Sequence, residues 1–183
     1  MDINNLFKLL YGNGFLNLEI IFSENYIEEI NFIGKKNINH ADEKRVLGFK
    51  NLPHVKYLLG LLDLYFSEKE APFDISAKFE RIPVNFNGYS NFTAKILKTL
   101  RSTAEYGETT SYKNLALAAG LDKKYSRACA GALSKNKTPL LIPCHRVIMD
   151  SGKLGGYSGG GGVSLKAKLL SMEKRNSSQS RIS

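Results

Sequence analysis

The chain has 183 residues and a net charge of +9, and 43% of its residues are hydrophobic. This length suffices for one sizeable domain or two small ones, and the sequence has no apolar run long enough to cross a bilayer. The N-terminus lacks the basic segment and cleavage site of a signal peptide, so we expect a soluble cytoplasmic protein that does not bind membranes.

The cysteines and histidines do not form a metal-ligand pattern. The chain has two cysteines, Cys129 and Cys144, and three histidines, and none of them has a paired spacing such as CxxC or HxxxH. This pattern argues against a disulfide scaffold or a structural zinc site. We therefore expect a free thiol at Cys144, and neither a metal nor a cofactor.

The positive charge is confined to one half of the chain. Residues 1–85 contain 10 Lys and Arg against 12 Asp and Glu, whereas residues 86–175 contain 15 against 5. Such an uneven distribution indicates a surface that meets a polyanion. Residues 86–175 are therefore predicted to bind nucleic acid.

Residues 1–85 are predicted to form a small N-terminal lobe of sheet and helix. Two alternating apolar runs, Phe15–Phe22 and Ile27–Ile33, indicate a β-hairpin with one buried face, with room for further strand after it. From Pro53 to about Phe66, apolar residues recur at helical spacing, which predicts a helix packed on this hairpin.

The N-terminal lobe shows no cluster of residues that could carry chemistry, so we interpret it as architectural. Residues 69–90 contain chain breakers and few apolar runs, which predicts a linker with the domain boundary near residue 85. The last residues, 176–183, are polar and are expected to be disordered.

The second half of the chain predicts a mainly helical C-terminal lobe, which makes the fold class α+β. A first helix begins behind a cap at Ser90 or Asn91. Two short helices follow. Thr110-Ser111-Tyr112 leads into the first, Leu115–Ala119, and the second covers about 124–134 after a break at Gly120. Two helices around a glycine-containing turn are a candidate helix-turn-helix, although many such pairs never bind DNA.

The second of these two helices is rich in small residues. Gly131 costs helix stability, so its presence requires a reason. Tight packing on a neighbouring helix is one interpretation, and close approach to a nucleic-acid backbone is another. Arg127 on the same helix favours the nucleic acid. Cys129 in this helix is interpreted as a small buried hydrophobic residue.

The sequence Pro143-Cys144-His145-Arg146 follows an apolar run that indicates a buried segment. A neighbouring cation and a base lower the pKa of a thiol and make it a usable nucleophile, which singles out Cys144. Adjacent residues of an extended chain point to opposite sides, so His145 is expected to act on the sulfur through a water molecule.

A helix predicted over residues 163–174 supplies a third group. Its inward face is defined by Leu165, Leu169 and Leu170. Glu173 lies one turn beyond Leu169 on that face, where it could orient the imidazole of His145. The alternative is an exposed glutamate in the last turn, paired with a lysine, and periodicity alone favours this alternative.

The segment LIPCHRV at residues 141–147, followed by GGYSGG at residues 155–160, resembles the signature of the O6-alkylguanine-DNA alkyltransferases, also called methylated-DNA–protein-cysteine methyltransferases. The resemblance is highly specific and extends over residues 89–175, whereas residues 1–85 match the family only in general character. After Tyr157-Ser158, the run Gly159–Gly162 makes the loop before the last helix two residues longer than in most members.

The resemblance implies a DNA repair protein that flips O6-alkylguanine, chiefly O6-methylguanine, out of duplex DNA and irreversibly transfers the alkyl group to its own Cys144. Nothing in the sequence could cleave the thioether product, so each molecule would act once. The implied partner is double-stranded DNA containing O6-alkylguanine, and we expect the protein to be a monomer.

The resemblance also implies a role for each residue of the reaction centre. Cys144 would accept the alkyl group, and His145 would deprotonate it through a water molecule. Glu173 would orient His145. Asn136 would help to hold the thiolate, and Tyr112 would protonate the departing guanine.

The same resemblance assigns residues that bind DNA and the flipped base. Arg127 would enter the base stack in place of the flipped nucleotide. Tyr157 and Ser158 would line the base pocket, and the backbone of Cys144 and Val147 would recognise the guanine amine. The surrounding lysines could contact phosphates in a sequence-independent, salt-sensitive way: Lys113, Lys123, Lys124, Lys135 and Lys137.

Three other interpretations are open. An alkyltransferase-like protein binds the lesion without reacting, but such proteins replace the acceptor cysteine, usually by tryptophan, and this chain has Cys144 and no tryptophan. A cysteine hydrolase built on Cys144 and His145 would leave Arg127 and the basic half unexplained. A helix-turn-helix transcription factor would explain the basic half but leave the Pro-Cys-His-Arg sequence without a role.

Overall fold

The computed structural model describes residues 6–13, 15–33, 52–67 and 74–179. Its N-terminal part contains a three-stranded antiparallel sheet in the order β1-β2-β3, and helices follow it along the chain. The bounds are β1 Phe7–Gly12, β2 Asn17–Phe22, β3 Ile27–Ile33, α1 Pro53–Phe66 and α2 Ile75–Glu80. The predicted hairpin, which is β2 with β3, and the predicted helix α1 are confirmed.

Strand β1 escapes sequence-based prediction because its apolar residues do not alternate. Leu9 and Tyr11 face the core with 2% and 9% exposure. Leu10 between them is also apolar and hides the period of two that identifies a half-buried strand. The further strand that the sequence allows after Ile33 would lie outside the described residues.

The predicted linker over residues 69–90 contains helix α2, so the prediction is wrong for residues 75–80. Six residues are too few for a periodic apolar pattern, but Ile75 and Phe79 lie one turn apart and are both buried. Their burial stabilises a helix where the sequence suggests only breakers.

The segment near residue 85 joins the two halves of the chain. The N–H of Ile27 in the sheet donates to the carbonyl of Pro83 at 2.8 Å, and the N–H of Asn85 donates back to the carbonyl of Ile27 at 3.2 Å. Buried residues of both halves form one hydrophobic cluster. The domain boundary near residue 85 stays a proposal.

The C-terminal part is mainly helical, as predicted. Its bounds are α3 Asn91–Thr103, β4 Thr110–Ser111, α4 Tyr112–Ala118, α5 Ser126–Leu133, β5 Val147–Ile148 and α6 Gly162–Gln179, with 3-10 turns at Lys123–Tyr125 and Cys144–Arg146. The side chain of Ser90 caps α3 by accepting from the N–H of Thr93 at 3.2 Å. Strands β4 and β5 pair in parallel. Helices α4 and α5 are the predicted pair.

Helix α6 is longer than the sequence indicates. It continues to Gln179, so the predicted disorder is wrong for residues 176–179, and residues 180–183 lie outside the described residues. Asn176 is only 1% exposed, which explains why the helix does not end before it. Leu169 is buried as predicted, whereas Leu165 is half-buried. No helix in the described segments is long and apolar enough to span a membrane.

Candidate active site

The turn before Cys144 is held by a side chain. Its backbone closes where the N–H of Ile142 donates to the carbonyl of Thr138 at 3.0 Å, and Leu140 inside it has a φ of 73°, which non-glycine residues rarely adopt. Asn136 donates to the carbonyl of Ile142 at 2.8 Å and accepts from the N–H of Thr138 at 3.0 Å. These bonds fix the strained turn and the cysteine that follows it.

Cys144 forms part of the wall of a cavity of about 370 Å³ and is 7% exposed. Small-molecule sites have volumes of roughly 300–1,000 Å³. Asn136 also donates to Sγ of Cys144 at 3.1 Å, so the amide predicted to hold the thiolate touches the sulfur. Other side chains of the cavity wall are those of Tyr112, Leu133, Ser134, Tyr157 and Ser158.

Burial raises the pKa of the Cys144 thiol, and the hydrogen bond from Asn136 and the charge of Lys166 offset part of the rise. From the sequence we expect the neighbouring cation to lower the pKa of this thiol. This expectation is wrong for Arg146, because its guanidinium is bound to Glu173 instead. The thiol is therefore protonated at neutral pH and requires a base to react.

Glu173 accepts hydrogen bonds from several parts of the chain, with 1% of its side chain exposed. The donors are Nε2 of His145 at 2.8 Å, Nε and Nη2 of Arg146 both at 2.9 Å, the N–H of Gly107 at 3.3 Å and the hydroxyl of Tyr65. Burial alone would raise its pKa, but the charges of Arg146 and His145 hold the pKa of Glu173 well below its usual range. The carboxylate faces inward despite the longer glycine loop, which excludes the exposed alternative.

His145 is fully buried against this carboxylate. Because an ionised carboxylate only accepts, Nε2 of His145 carries the proton and Nδ1 has the free lone pair. Within the described residues Nδ1 has no hydrogen-bond partner. Burial lowers the pKa of His145 although Glu173 opposes the shift, so the imidazole is neutral at pH 7. Cys144 and His145 lie in a 3-10 turn, which corrects the expected extended chain.

Lys166 is a site residue that sequence reasoning misses. Its side chain is buried, and Nζ donates to the carbonyl of Val147 at 2.6 Å and to that of Leu154 at 2.5 Å. Burial lowers the pKa of Lys166, and the charge of Cys144 raises it. The available signal was its spacing, since it lies one turn before Leu169 on the inward face of α6.

Val147 does not line the cavity with its side chain. Its carbonyl accepts from Lys166, and its N–H donates to the carbonyl of Cys144. The carbonyls of Cys144 and Val147, whose backbone the resemblance assigns to the guanine amine, are therefore already engaged within the chain. Each keeps a second lone pair that can accept.

Two tyrosines stand beside the sulfur. Burial and the charge of Cys144 raise the pKa of Tyr112, so its hydroxyl is protonated at neutral pH. The same two causes raise the pKa of Tyr157. The ring of Tyr157 lies with its centroid 6.5 Å from that of Phe32, and a Cβ on Gly159 would lie 2.5 Å from the ring. The glycine therefore leaves the space that Tyr157 occupies.

The residues predicted to bind DNA lie on the surface around the start of α5. Arg127, Lys123 and Lys124 are exposed, and Cys129 on the opposite face is buried as predicted. A Cβ on Gly131 would meet nothing within 4 Å, so packing on a neighbouring helix does not explain this glycine. A further predicted phosphate contact, Lys137, pairs instead with Glu29 at 3.5 Å.

Residues 91–175 match the family model of the 6-O-methylguanine DNA methyltransferase DNA-binding domain. Residues 91–175 of the chain belong to this domain family. The match covers the helix pair, the turn of Cys144 and Glu173. The resemblance stated from the sequence is thereby confirmed.

Similar proteins of known name support the same assignment. The methylated-DNA–protein-cysteine methyltransferase of Methanothermobacter thermautotrophicus is 39% identical over 119 residues, which are 65% of this chain and 61% of that protein. The protein of the same name from Metallosphaera sedula is 45% identical over 61% of this chain and 63% of its own length. The matches thus span less than two thirds of these relatives. The crystal structure of Mycobacterium tuberculosis OGT in complex with DNA has a TM-score of 0.65 at 25% identity, covering 91% of this chain and 92% of that chain.

Proposed function

We propose that this family member repairs DNA by transferring the alkyl group of O6-alkylguanine to Cys144. One observation carries the proposal. The sulfur of Cys144 lies in a cavity wall, and the next residue, His145, forms a buried pair with Glu173. In a catalytic triad, a third group orients the base that activates the nucleophile. Glu173 would orient His145 in the same way, and His145 would activate Cys144.

The proposed reaction begins with removal of the thiol proton. His145 accepts this proton at Nδ1 through a water molecule, and Glu173 stabilises the imidazolium. The thiolate attacks the alkyl carbon, so that a carbon–sulfur bond forms while the bond from this carbon to O6 breaks. Tyr112 donates its proton to the leaving guanine and regains one from solvent, while His145 releases its proton to solvent. The net result moves one proton from thiol to guanine and leaves a stable thioether.

The proposed substrate must leave the duplex before it can react. Flipping a nucleotide costs a few kcal/mol, and less for a poorly paired lesion. We assign Arg127 to the space that the nucleotide leaves, because it is exposed at the start of α5 beside the open face of Gly131. Lys123 and Lys124 are exposed next to it and would contact phosphates. Residues 86–175 would then be the DNA-binding domain, with α4 and α5 as its helix-turn-helix.

The flipped base would occupy the cavity beside the sulfur. Tyr157 and Ser158 would contact it, because both line this cavity. Each molecule would act once, because the reaction consumes Cys144. A repair protein that acts stoichiometrically has no need of a partner subunit, so we expect a monomer.

Intact-protein mass spectrometry tests the proposal. The protein is incubated with a duplex that contains one O6-methylguanine, and the gain of one methylene mass is mapped to a residue. We expect a gain at Cys144 that saturates at one per protein. Cys144→Ala should show no gain, whereas Cys129→Ala should react like the unchanged chain. Tight lesion binding without a mass change would favour the non-reacting lesion-binding protein instead.

A further inference from the structure

We propose that Tyr65, on helix α1 of the N-terminal lobe, is a positioning residue for alkyl transfer. Its hydroxyl holds the Glu173 carboxylate in the place from which this carboxylate orients His145. The inference rests on the proposed function and deepens it, because it gives a part in the reaction to the half of the chain that the sequence indicates to be architectural.

The contact is made at one shared atom. The hydroxyl of Tyr65 donates to Oε1 of Glu173, and the same oxygen accepts from Nε2 of His145 at 2.8 Å. The hydroxyl also lies 3.5 Å from Nε2 of His145. Any movement of the Tyr65 hydroxyl therefore changes the position and the electron density of the oxygen that the imidazole binds.

The packing of the ring fixes where this hydroxyl points. Tyr65 is fully buried, and its ring centroid lies 4.7 Å from that of Phe66, 5.6 Å from that of Phe79 and 5.5 Å from that of Tyr106. Burial and the charge of Glu173 raise the pKa of Tyr65, so the hydroxyl remains a donor at every pH at which the protein is assayed. A phenylalanine would keep the ring contacts and remove only this donor.

Several charged or titratable groups surround the imidazole. They are Glu173 and Lys166 from α6, Cys144 and Arg146 from the same turn, Tyr65 from α1, and Tyr106. Without the hydrogen bond from the Tyr65 hydroxyl, Oε1 of Glu173 carries more negative charge beside His145. The imidazolium is then stabilised more strongly. The pKa of His145 should then rise. Because only the neutral imidazole accepts the thiol proton, the acidic limb of the pH–rate profile should move to higher pH.

The test compares Tyr65→Phe with Tyr11→Phe. Tyr11 is a matched control because its hydroxyl also donates to a carboxylate of the same lobe, that of Asp63 at 2.8 Å, away from the site. Single-turnover transfer from an O6-methylguanine duplex is measured against pH, and the His145 ring is titrated by NMR. For Tyr65→Phe we expect a His145 pKa higher by about half a unit to one unit and a transfer rate about three- to ten-fold lower on the acidic limb of the profile, where the neutral imidazole is scarce. Tyr11→Phe should change neither.

The outcomes separate this inference from the proposed function. If the unchanged protein does not transfer the methyl group, the proposed function fails, and the NMR titration still shows whether Tyr65 controls His145. An unchanged pH profile and an unchanged His145 titration in Tyr65→Phe would overturn the inference. A Tyr65→Phe chain that no longer folds, beside a folded Tyr11→Phe chain, would also overturn it, because the hydroxyl would then be structural.

Discussion

Replacing Glu173 by glutamine tests how strongly the buried carboxylate holds the core around Cys144. The side chains of Arg146 and Glu173 are 2% and 1% exposed, and they share two hydrogen bonds of 2.9 Å. Glutamine keeps the size but leaves the guanidinium buried without a counter-charge, which costs about 3–5 kcal/mol. The whole free energy of unfolding of a domain is about 5–15 kcal/mol. The variant should therefore lose a large fraction of its stability.

Urea unfolding followed by circular dichroism at pH 7 measures this loss. The matched control is Glu29→Gln, which breaks the exposed pair with Lys137 at 3.5 Å and should cost less than about 1 kcal/mol. A double variant, Arg146→Met with Glu173→Gln, also removes the unpaired charge and should be more stable than Glu173→Gln alone. If Glu173→Gln lowers the free energy of unfolding no more than Glu29→Gln does, the buried carboxylate does not stabilise the core in this way.

The same perturbation has a defined pH dependence. Because the pKa of Glu173 is lower in the folded chain than in the unfolded one, the carboxylate stabilises the fold fully above its ordinary pKa of 4.5 and progressively less below it. The difference in free energy of unfolding between the unchanged protein and Glu173→Gln should thus be largest near pH 7 and shrink on acidification below pH 4.5. A difference that stays constant over this range would contradict the assigned ionisation.

Two further predictions concern the thiol and the DNA surface. Lys166→Met should slow the reaction of Cys144 with iodoacetamide, mapped by mass spectrometry, by about ten-fold, because a charge that lowers the thiol pKa is lost. The control is Lys168→Met, at an exposed position. Equal reaction rates for the two variants would count against the role of Lys166. Arg127→Ala should slow transfer from duplex DNA by about ten-fold or more and leave the iodoacetamide rate unchanged. The control is Arg81→Ala, at an exposed position within residues 1–85, which should change neither rate. If Arg127→Ala leaves the rate of transfer from duplex DNA unchanged, Arg127 has no part in the proposed flipping step.

The reaction centre could be predicted where its residues are close in sequence. Cys144 and His145 are adjacent in sequence. The helical period alone favours an exposed Glu173, so it is the resemblance that brings this carboxylate to His145. The contact from Asn136 to the sulfur follows from the resemblance. The charge of Arg146 was assigned to the thiol because the two residues are neighbours, whereas the folded chain gives it to a carboxylate 27 positions away.

Long-range contacts account for what the sequence does not reveal. The hydroxyl of Tyr65 meets a carboxylate 108 residues further along the chain, and its apolar ring fits the periodic pattern of α1 without indicating a polar partner. Lys166 is buried only because main-chain carbonyls of another segment surround its ammonium group. The contact of Tyr65 has no local sequence signal, and the burial of Lys166 is indicated only by its position one turn before Leu169. Strand β1 was missed for a different reason, since Leu10 conceals its alternation.

The short pairing of β4 with β5 has a consequence for protein engineering. It joins Ser111, directly before Tyr112, to Ile148, four residues after Cys144, through main-chain pairing alone. The spacing of Cys144 and Tyr112 is thus set before the glycine-rich loop Gly159–Gly162 begins. After that loop, Nζ of Lys166 in α6 donates to the carbonyls of Val147 and Leu154, so α6 is anchored to the same segment. Insertions or randomised residues within the loop should therefore reshape the cavity while Cys144 and Tyr112, the proposed nucleophile and proton donor, keep their separation.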